Sequence, residues 1–159
     1  MEQAALSKFK PLIGTDEATI DDKGRILVSK KKRERLGENF VVALGDVGCL
    51  VAYPEPVWEQ MVSSVLAKDR LNQGTQQYTR LVFGLAEDEL KFDAQGRVVI
   101  PQKMRDLAKL KDKVLLVGAL DRLEIWARDE YEKYAAKPDG YGEERRQSIQ
   151  DAYERMNRG

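Results

Sequence analysis

One internal repeat limits the folds open to this 159-residue chain more than any other feature of its sequence. A shift of 72 positions aligns residues 14–33 with residues 86–105, and seven of the 20 aligned pairs are identical. The identical pairs are Asp16/Asp88, Glu17/Glu89, Asp21/Asp93, Gly24/Gly96, Arg25/Arg97, Lys31/Lys103 and Arg33/Arg105. A further match, displaced by one inserted residue, aligns residues 50–53 with residues 123–126. The chain is therefore expected to contain two copies of one small module.

Each copy opens with the pattern of a β-hairpin. Apolar residues alternate with polar or small ones at 18–20 and again at 90–92, and this alternation predicts a strand. A turn that contains glycine follows, and then a short run rich in β-branched residues at 26–28 or 98–100. The same hairpin is therefore predicted in both copies.

A short helix and two more strands are predicted after each hairpin. Ser29 is suited to cap the first helix and Gly37 to end it, while Pro101 suits the first turn of the second helix. The later strands are predicted at residues 40–44, 49–53, 114–118 and 123–126, with turn residues between the members of each pair. Strands and helices in this order predict an α+β fold.

The segment between the two hairpins has helical spacing at residues 55–69 and can form a second helix at 76–85, with a break at Asn72-Gln73-Gly74. It carries too many large apolar residues for a solvated linker, so we expect a helix pair that covers the core. The predicted division of the chain is an N-terminal extension at 1–13, a first module with its connecting helices at 14–82, a second module at 83–134, and a polar tail or helix at 135–159.

Both copies share an Asp-x-x-Gly-Arg turn, at Asp21–Arg25 and Asp93–Arg97. An aspartate that starts a turn accepts hydrogen bonds from nearby backbone amides, and glycine adopts positive φ at the tip. The carboxylate then lies where it can hold the guanidinium in a bidentate pair before any ligand arrives. We predict that Asp21 and Asp93 orient the two arginines; the alternative is that each pair only stabilises its hairpin.

Basic residues are concentrated beside both turns, although the whole chain has 27 basic and 27 acidic residues. Residues 22–34 include six basic and two acidic residues, and residues 94–106 include three and one. Such a cluster neutralises DNA phosphates, and an oriented arginine reads guanine through O6 and N7. A charge cluster alone is more often a solvated helix face, but its recurrence beside the same turn favours DNA. The candidate DNA-binding residues are Lys23, Gly24, Arg25, Lys31, Arg33, Gln95, Arg97 and Arg105.

Composition argues against several classes of function. The chain has no histidine and one cysteine, so the usual zinc and copper ligands and the histidine-dependent nucleophile pairs are almost absent. We expect no enzyme, no cofactor and no metal site, and a buried thiol at Cys49, which lies in an apolar run. No run approaches the roughly 20 apolar residues of a membrane span, and residues 1–10 lack the apolar core of a signal peptide. A cytoplasmic, nucleoid-associated protein is expected.

The doubled turn resembles a motif of the MraZ family of bacterial transcriptional regulators, relatives of the AbrB-type swapped-hairpin DNA-binding proteins. The matching residues are Asp21–Arg25 and Asp93–Arg97, the second continuing to Pro101 with Arg105 downstream, and the resemblance covers residues 12–134. One copy is a weak signal, whereas two at this spacing are specific. The resemblance implies two tandem AbrB-like swapped-hairpin β-barrel modules with pseudo-twofold symmetry, flanked by helices, in chains that assemble into a homo-oligomeric ring.

The resemblance also implies a function. Such proteins bind short direct repeats in double-stranded promoter DNA upstream of the division and cell-wall gene cluster, and they typically repress their own promoter. Lys23 and Arg25 match the main DNA-contacting positions of the family, Arg97 holds the equivalent position in copy two, and Gln95 replaces the lysine there. Ser29 stands where the family pattern usually has proline. Copy one is therefore expected to be the main DNA reader.

Two other functions fit the same residues. An AbrB-like antitoxin would also bind DNA and would need a toxin-wrapping tail, for which residues 138–159 are the candidate. A protein-interaction scaffold would use the Asp-Arg turns only structurally and would show little salt-dependent DNA affinity. An enzyme is the least favoured, because the repeated acidic residues Asp16, Glu17 and Asp21 precede a basic turn and do not converge on a nucleophile.

Overall fold

A computed structural model describes residues 10–136 and 145–158, and the structural statements that follow concern those residues. The strands are β1 Thr15–Thr19, β2 Arg25–Leu27, β3 Phe40–Leu44, β4 Leu50–Pro54, β5 Glu87–Leu90, β6 Arg97–Val99, β7 Lys113–Gly118 and β8 Leu123–Ala127. The α-helices are α1 Lys30–Leu36, α2 Glu55–Leu66, α3 Gln73–Tyr78, α4 Gln102–Leu107, α5 Arg128–Ala135 and α6 Arg145–Arg158, and a π-helical turn, Thr79–Phe83, follows α3. The predicted α+β class is confirmed.

The chain divides into two compact units, one that ends at Ala127 and one that comprises Arg128–Gly159. All the strands lie in the first unit, and the second contributes the polar helices α5 and α6. The predicted C-terminal tail or helix is thus a helix from Arg145 to Arg158, while residues 137–144 lie outside the described residues. None of the described helices combines the length and apolar character needed to cross a membrane.

The strands of the two copies pair with each other. One antiparallel sheet has the order β1-β7-β8-β4-β3-β5, and β2 and β6 form a separate antiparallel ribbon. The pairs β1–β7, β3–β5, β4–β8 and β2–β6 each join a strand of copy one to a strand of copy two. Among the described residues no pairing joins the edge strands β1 and β5, so the pairings form an open sheet and do not show the closed β-barrel that we expected.

Both copies contribute to one hydrophobic core. The ribbon directs Ile26 and Val98 inward, and full burial of such a side chain stabilises the fold by about 1.5–3 kcal/mol. The ring of the buried Phe40 packs 5.0 Å from that of the partly buried Phe92. Cys49 is a buried free thiol, as predicted, and burial raises its pKa to about 12. The two copies therefore depend on each other for their core.

The local signals around α1 and α4 place the helices that carry several candidate residues. The Ser29 hydroxyl oxygen accepts a hydrogen bond from the Lys32 N–H at 3.4 Å, and α1 ends before Gly37, whose φ is +89°. Both predictions are confirmed. Pro101 precedes α4 as its N-terminal cap and does not lie within its first turn.

The connecting segment forms a helix at Glu55–Leu66, within the predicted 55–69, and a second at Gln73–Tyr78 with its π-helical continuation. The second helix begins three residues before its predicted start, so Gln73 and Gly74 of the predicted break are helical and Asn72 is the N-cap. Trp58 of α2 packs between Tyr53 of β4 and Phe83, with ring centroids 5.8 and 4.8 Å apart. α2 contacts β3 and β4 but has no fully buried residue. The segment therefore covers the sheet only in part.

Candidate nucleic-acid interface

The turn of copy one is organised by Asp21. Its Oδ1 accepts hydrogen bonds from the backbone N–H groups of Lys23 at 3.0 Å and Arg25 at 2.9 Å, and its Oδ2 accepts one from the Arg25 Nε at 2.6 Å. Gly24 has φ +79°, a conformation that favours glycine, and its N–H donates to the Asp21 carbonyl oxygen at 3.0 Å. One carboxylate thus holds both the backbone of the turn and the arginine that follows it.

The turn of copy two has the same geometry. Asp93 Oδ1 accepts from the N–H groups of Gln95 and Arg97, and Oδ2 accepts from the Arg97 Nε, all at 2.9 Å. Gly96 has φ +83° and donates its N–H to the Asp93 carbonyl oxygen at 3.0 Å. The backbone and the arginine are therefore placed alike in the two turns.

Each carboxylate contacts the guanidinium through Nε alone, and not through the bidentate pair that we expected, because its other oxygen is used by the backbone. Within the described residues the Nη atoms of Arg25 and Arg97 make no hydrogen bond. Backbone donation, first from the N–H of Arg25 or Arg97, lowers the pKa of the Asp21 and Asp93 carboxyl groups below the ordinary value. Each arginine is oriented while its outer nitrogens stay available.

The β2–β6 ribbon presents both arginines on its solvent side. Its register places Arg25 opposite Val99 and Arg97 opposite Leu27, while Ile26 and Val98 lie opposite each other and are buried. Since side chains alternate along a strand and opposite residues share a face, the two arginines lie on the same outer face. Leu27 and Val99 on this face are 59% and 51% exposed. The ribbon therefore offers a polar and apolar surface that is open to solvent.

The exposed basic residues are more numerous in copy one. Lys23 at the tip of its turn and Lys31 on α1 are exposed and have no ion pair within the described residues. The equivalents in copy two are Gln95, which is uncharged, and Lys103, whose Nζ lies 3.1 Å from a carboxylate oxygen of Glu87. The predicted difference in charge between the copies is present on the surface.

Lys32, which we counted in the basic cluster, does not lie on that surface. Its side chain is 6% exposed, and its Nζ lies 2.6 Å from Asp16 Oδ2 on β1. The aligned residue in copy two is Met104, which is fully buried. This substitution of methionine for lysine was the available sign that position 32 faces the core.

Arg33 and Arg105 form contacts that we did not predict from the sequence. The Arg33 Nε donates to the Val28 carbonyl oxygen and the Arg105 Nε to the Ile100 carbonyl oxygen, both at 2.9 Å. Each guanidinium lies against the turn glycine of the other copy, because a Cβ added to Gly24 would be 2.9 Å from the Arg105 Cζ, and one added to Gly96 would be 2.6 Å from the Arg33 Cζ.

The positive φ of Gly24 and Gly96 favours glycine in both turns, and a larger residue there would also displace the two guanidinium groups. The recurrence of both glycines and both arginines among the seven identical pairs was the signal in the sequence. The described residues contain no group of three or more acidic or cysteine side chains suited to a metal ion.

Comparison with known proteins gives a family for the whole arrangement. The model of a family described as "MraZ protein, putative antitoxin-like" matches residues 12–81 and again residues 83–150, once for each copy. A protein of Pelotomaculum thermopropionicum named "Transcriptional regulator MraZ" is 34% identical over 139 residues, which cover 87% of this chain and 95% of that protein. The chain belongs to the MraZ family.

Two further MraZ proteins have the same name. The one from Salinispora arenicola is 35% identical over 125 residues, with 79% of this chain and 87% of that protein covered. The one from Roseiflexus sp. is 37% identical over 115 residues, with 72% and 80% covered. MraZ proteins are thus named for the regulation of transcription, and this chain is a member of that family of transcriptional regulators. The predicted family is confirmed.

Proposed function

We propose that this MraZ protein regulates transcription by binding DNA sequence-specifically through the outer face of the β2–β6 ribbon and its two turns. The observation that carries the proposal is that Asp21 and Asp93 hold Arg25 and Arg97 through Nε, while their Nη atoms remain available on the solvent side. A two-stranded ribbon fits the major groove, and an oriented guanidinium forms bidentate hydrogen bonds with guanine. Because Arg25 and Arg97 are already oriented, their side chains lose little further conformational entropy on binding.

The other candidate residues surround these two arginines. Lys23 and Lys31 are exposed cations suited to phosphate contacts, and the polar Gln95 occupies the tip of the second turn. Gly24 allows the positive φ that the first turn needs to present Lys23 and Arg25. The full proposed surface comprises Lys23, Gly24, Arg25, Lys31, Arg33, Gln95, Arg97 and Arg105, with Asp21 and Asp93 as the residues that orient it.

Copy one is the main reader in this proposal. It combines Arg25 with the free cations Lys23 and Lys31, whereas in copy two Lys103 is paired with Glu87. Phosphate neutralisation supplies much of the affinity of DNA-binding proteins, so the copy with more unpaired cations binds more tightly.

The finer parts of the proposal follow the family resemblance. In this proposal the two copies are AbrB-like swapped hairpins with pseudo-twofold symmetry, which the pairing of strands between the copies supports, and chains assemble into a ring. Successive ribbons then contact direct repeats in the promoter of the division and cell-wall gene cluster, whose transcription the protein represses in the cytoplasm, at the nucleoid. Modest affinities for single repeats combine through effective concentration. Exposed Leu66, Leu71 and Leu81 offer apolar area for subunit contacts.

A mobility-shift titration with a double-stranded fragment of the protein's own promoter tests the function. Arg25→Ala should abolish specific binding and Arg97→Ala should weaken it, because a bidentate arginine–guanine contact contributes about 1–3 kcal/mol. Lys68→Ala, which removes an exposed lysine of the connecting segment, is the matched control and should bind normally. Unchanged binding by the Arg25 variant would exclude the proposal.

An antitoxin is the second candidate, and one observation favours it besides the description of the family. Ile149, Tyr153 and Met156 of α6 are 68%, 63% and 67% exposed and recur at helical spacing, as a helix that lies on a partner requires. If the protein is an antitoxin, replacing these three residues by serine should release a co-purified protein that inhibits growth when expressed alone. DNA binding by that variant should be unchanged.

A further inference from the structure

Residues of copy two contact the turn of copy one at Gly24 and hold it in place. The Gly24 carbonyl oxygen accepts a hydrogen bond from the Ile100 N–H at 2.9 Å. The Ile100 carbonyl oxygen accepts in turn from the Arg105 Nε at 2.9 Å, and the Arg105 guanidinium lies against Gly24. A short segment of copy two, Ile100–Arg105, therefore holds the first turn from two directions.

The reciprocal contact, in which residues of copy one hold the turn of copy two, is present at Gly96. The Gly96 carbonyl oxygen accepts from the Val28 N–H at 3.1 Å, and the Val28 carbonyl oxygen accepts from the Arg33 Nε at 2.9 Å. The Arg33 guanidinium lies against Gly96, with its Cζ 2.6 Å from the place of an added Cβ. Every part of the contact at Gly24 thus recurs at Gly96, with the roles of the two copies exchanged.

We propose that Arg105 and Arg33 are positioning residues exchanged between the copies. Arg105 of copy two holds the Asp21–Arg25 turn of copy one, and Arg33 of copy one holds the Asp93–Arg97 turn of copy two. These contacts between the copies are present in the free protein. Its effect on DNA affinity rests on the function proposed above.

Asp21 fixes the two ends of the first turn, and the side chain of Arg105 lies against its tip. Gly24 has no side chain to pack, and its backbone carries only the N–H bond to Asp21 and the carbonyl bond to Ile100. The planar guanidinium of Arg105 lies against the buried Gly24, while its Nε donates to the carbonyl oxygen of Ile100, the residue after β6. Loss of Arg105 would free the turn to move, and Arg25 would lose the orientation that Asp21 gives it.

Amide hydrogen exchange of the free protein tests these contacts without DNA. In Arg105→Ala, exchange at Gly24 and Arg25 should accelerate about tenfold while Gly96 and Arg97 stay protected, because only the first turn is released. In Arg33→Ala the pattern should be the reverse. Two results would overturn the proposal. One is equal acceleration of exchange at both turns, and the other is unchanged exchange at the turn that the replaced arginine contacts.

DNA titrations test the positioning role, with the double-stranded fragment of the protein's own promoter as the probe. Arg105→Ala should weaken binding about tenfold, because a poorly oriented Arg25 loses about the equivalent of one hydrogen bond to DNA. The salt dependence should be unchanged. A direct phosphate contact would instead lower the slope of log K against log salt by about one. That decrease would overturn positioning in favour of contact.

A double-mutant comparison separates the two roles further. In an Arg25→Lys background the first turn has no guanidinium left to orient, so Arg105→Ala should cause no further loss. In an Arg97→Lys background its full effect should remain. Equal losses in both backgrounds would contradict positioning. If Arg25→Ala binds the promoter fragment normally, the proposed DNA-binding function is wrong. The exchange pattern of the free protein then still tests the contact of Arg105 with the first turn.

Folding is controlled by the conservative variant. Arg105→Lys keeps the charge and most of the aliphatic stem but lacks the planar group that covers Gly24, and it should reproduce the faster exchange at Gly24. If Arg105→Ala does not fold, Arg105→Lys carries both measurements. Normal protection of Gly24 in that variant would show that the guanidinium is not the element that holds the turn.

Discussion

The two Asp-x-x-Gly-Arg turns have the same backbone and different surroundings. Asp, Gly and Arg make the same hydrogen bonds in both, within 0.3 Å for the Nε contacts at 2.6 and 2.9 Å. The residues that differ lie around them, since Lys23 is replaced by Gln95 and buried Lys32 by buried Met104. The shared residues determine the shape of the turn, and the residues that diverged change the charge exposed at its tip and the packing in the core.

The largest effect is expected at the buried difference between the copies. Lys32 is 6% exposed and its charge is balanced by Asp16, whereas Met104 needs no partner. Asp16→Ala removes the partner of this ammonium and should lower the free energy of unfolding by about 2 kcal/mol, measured by urea denaturation, because the 43% exposed carboxylate site lets water replace part of the contact. Asp88→Ala, the matched change in copy two at an exposed residue, should have little effect.

Lys32→Met makes copy one resemble copy two at this position. It removes the ion pair and supplies apolar volume, so stability should be unchanged or higher, and Asp16→Ala added to it should cost little. A large cost of Asp16→Ala in the Lys32→Met background would mean that Asp16 acts through some contact other than Lys32.

The comparison also separates what the sequence could predict from what it could not. Asp21, Gly24 and Arg25 act within one turn, so their geometry followed from local rules. The predicted hairpins were wrong in their pairing, because β1 and β5 begin three residues before the predicted strands at 18–20 and 90–92 and pair with β7 and β3, while β2 pairs with β6. The burial of Lys32 and the contact of Arg105 with Gly24 depend on which strands meet in three dimensions. Strand pairing between the copies could not be read from the pattern within either one.

The next effect concerns the tips of the turns. Lys23→Gln gives copy one the residue of copy two and should weaken promoter binding about tenfold and lower the salt slope by about one, because a phosphate contact is lost. Gln95→Lys, the reverse exchange, should increase affinity and raise the slope. A titration of both variants at several salt concentrations measures this. If Lys23→Gln left the slope unchanged, copy one would not be the main reader through this lysine.

The smallest effect is expected where the two turns are alike, in their response to acid. The pKa of Asp21 and of Asp93 is lowered from the ordinary value of 3.8, first by the backbone N–H of Arg25 or Arg97, so each carboxylate stabilises the folded state. That stability is fully present above the unfolded-state pKa near 3.8 and is lost as the pH falls through the lower folded-state pKa.

Asp21→Asn and Asp93→Asn should therefore each lower stability at neutral pH and flatten its decline below pH 3.8, to the same extent in both copies. Urea denaturation from pH 2 to pH 7 measures the two slopes, with Asp22→Asn, which alters the adjacent exposed aspartate, as the control. Unequal slopes would show that the copies differ in the turns themselves. Equal slopes, with unequal DNA affinities for the same two variants, would place the difference between the copies in the residues around the turns.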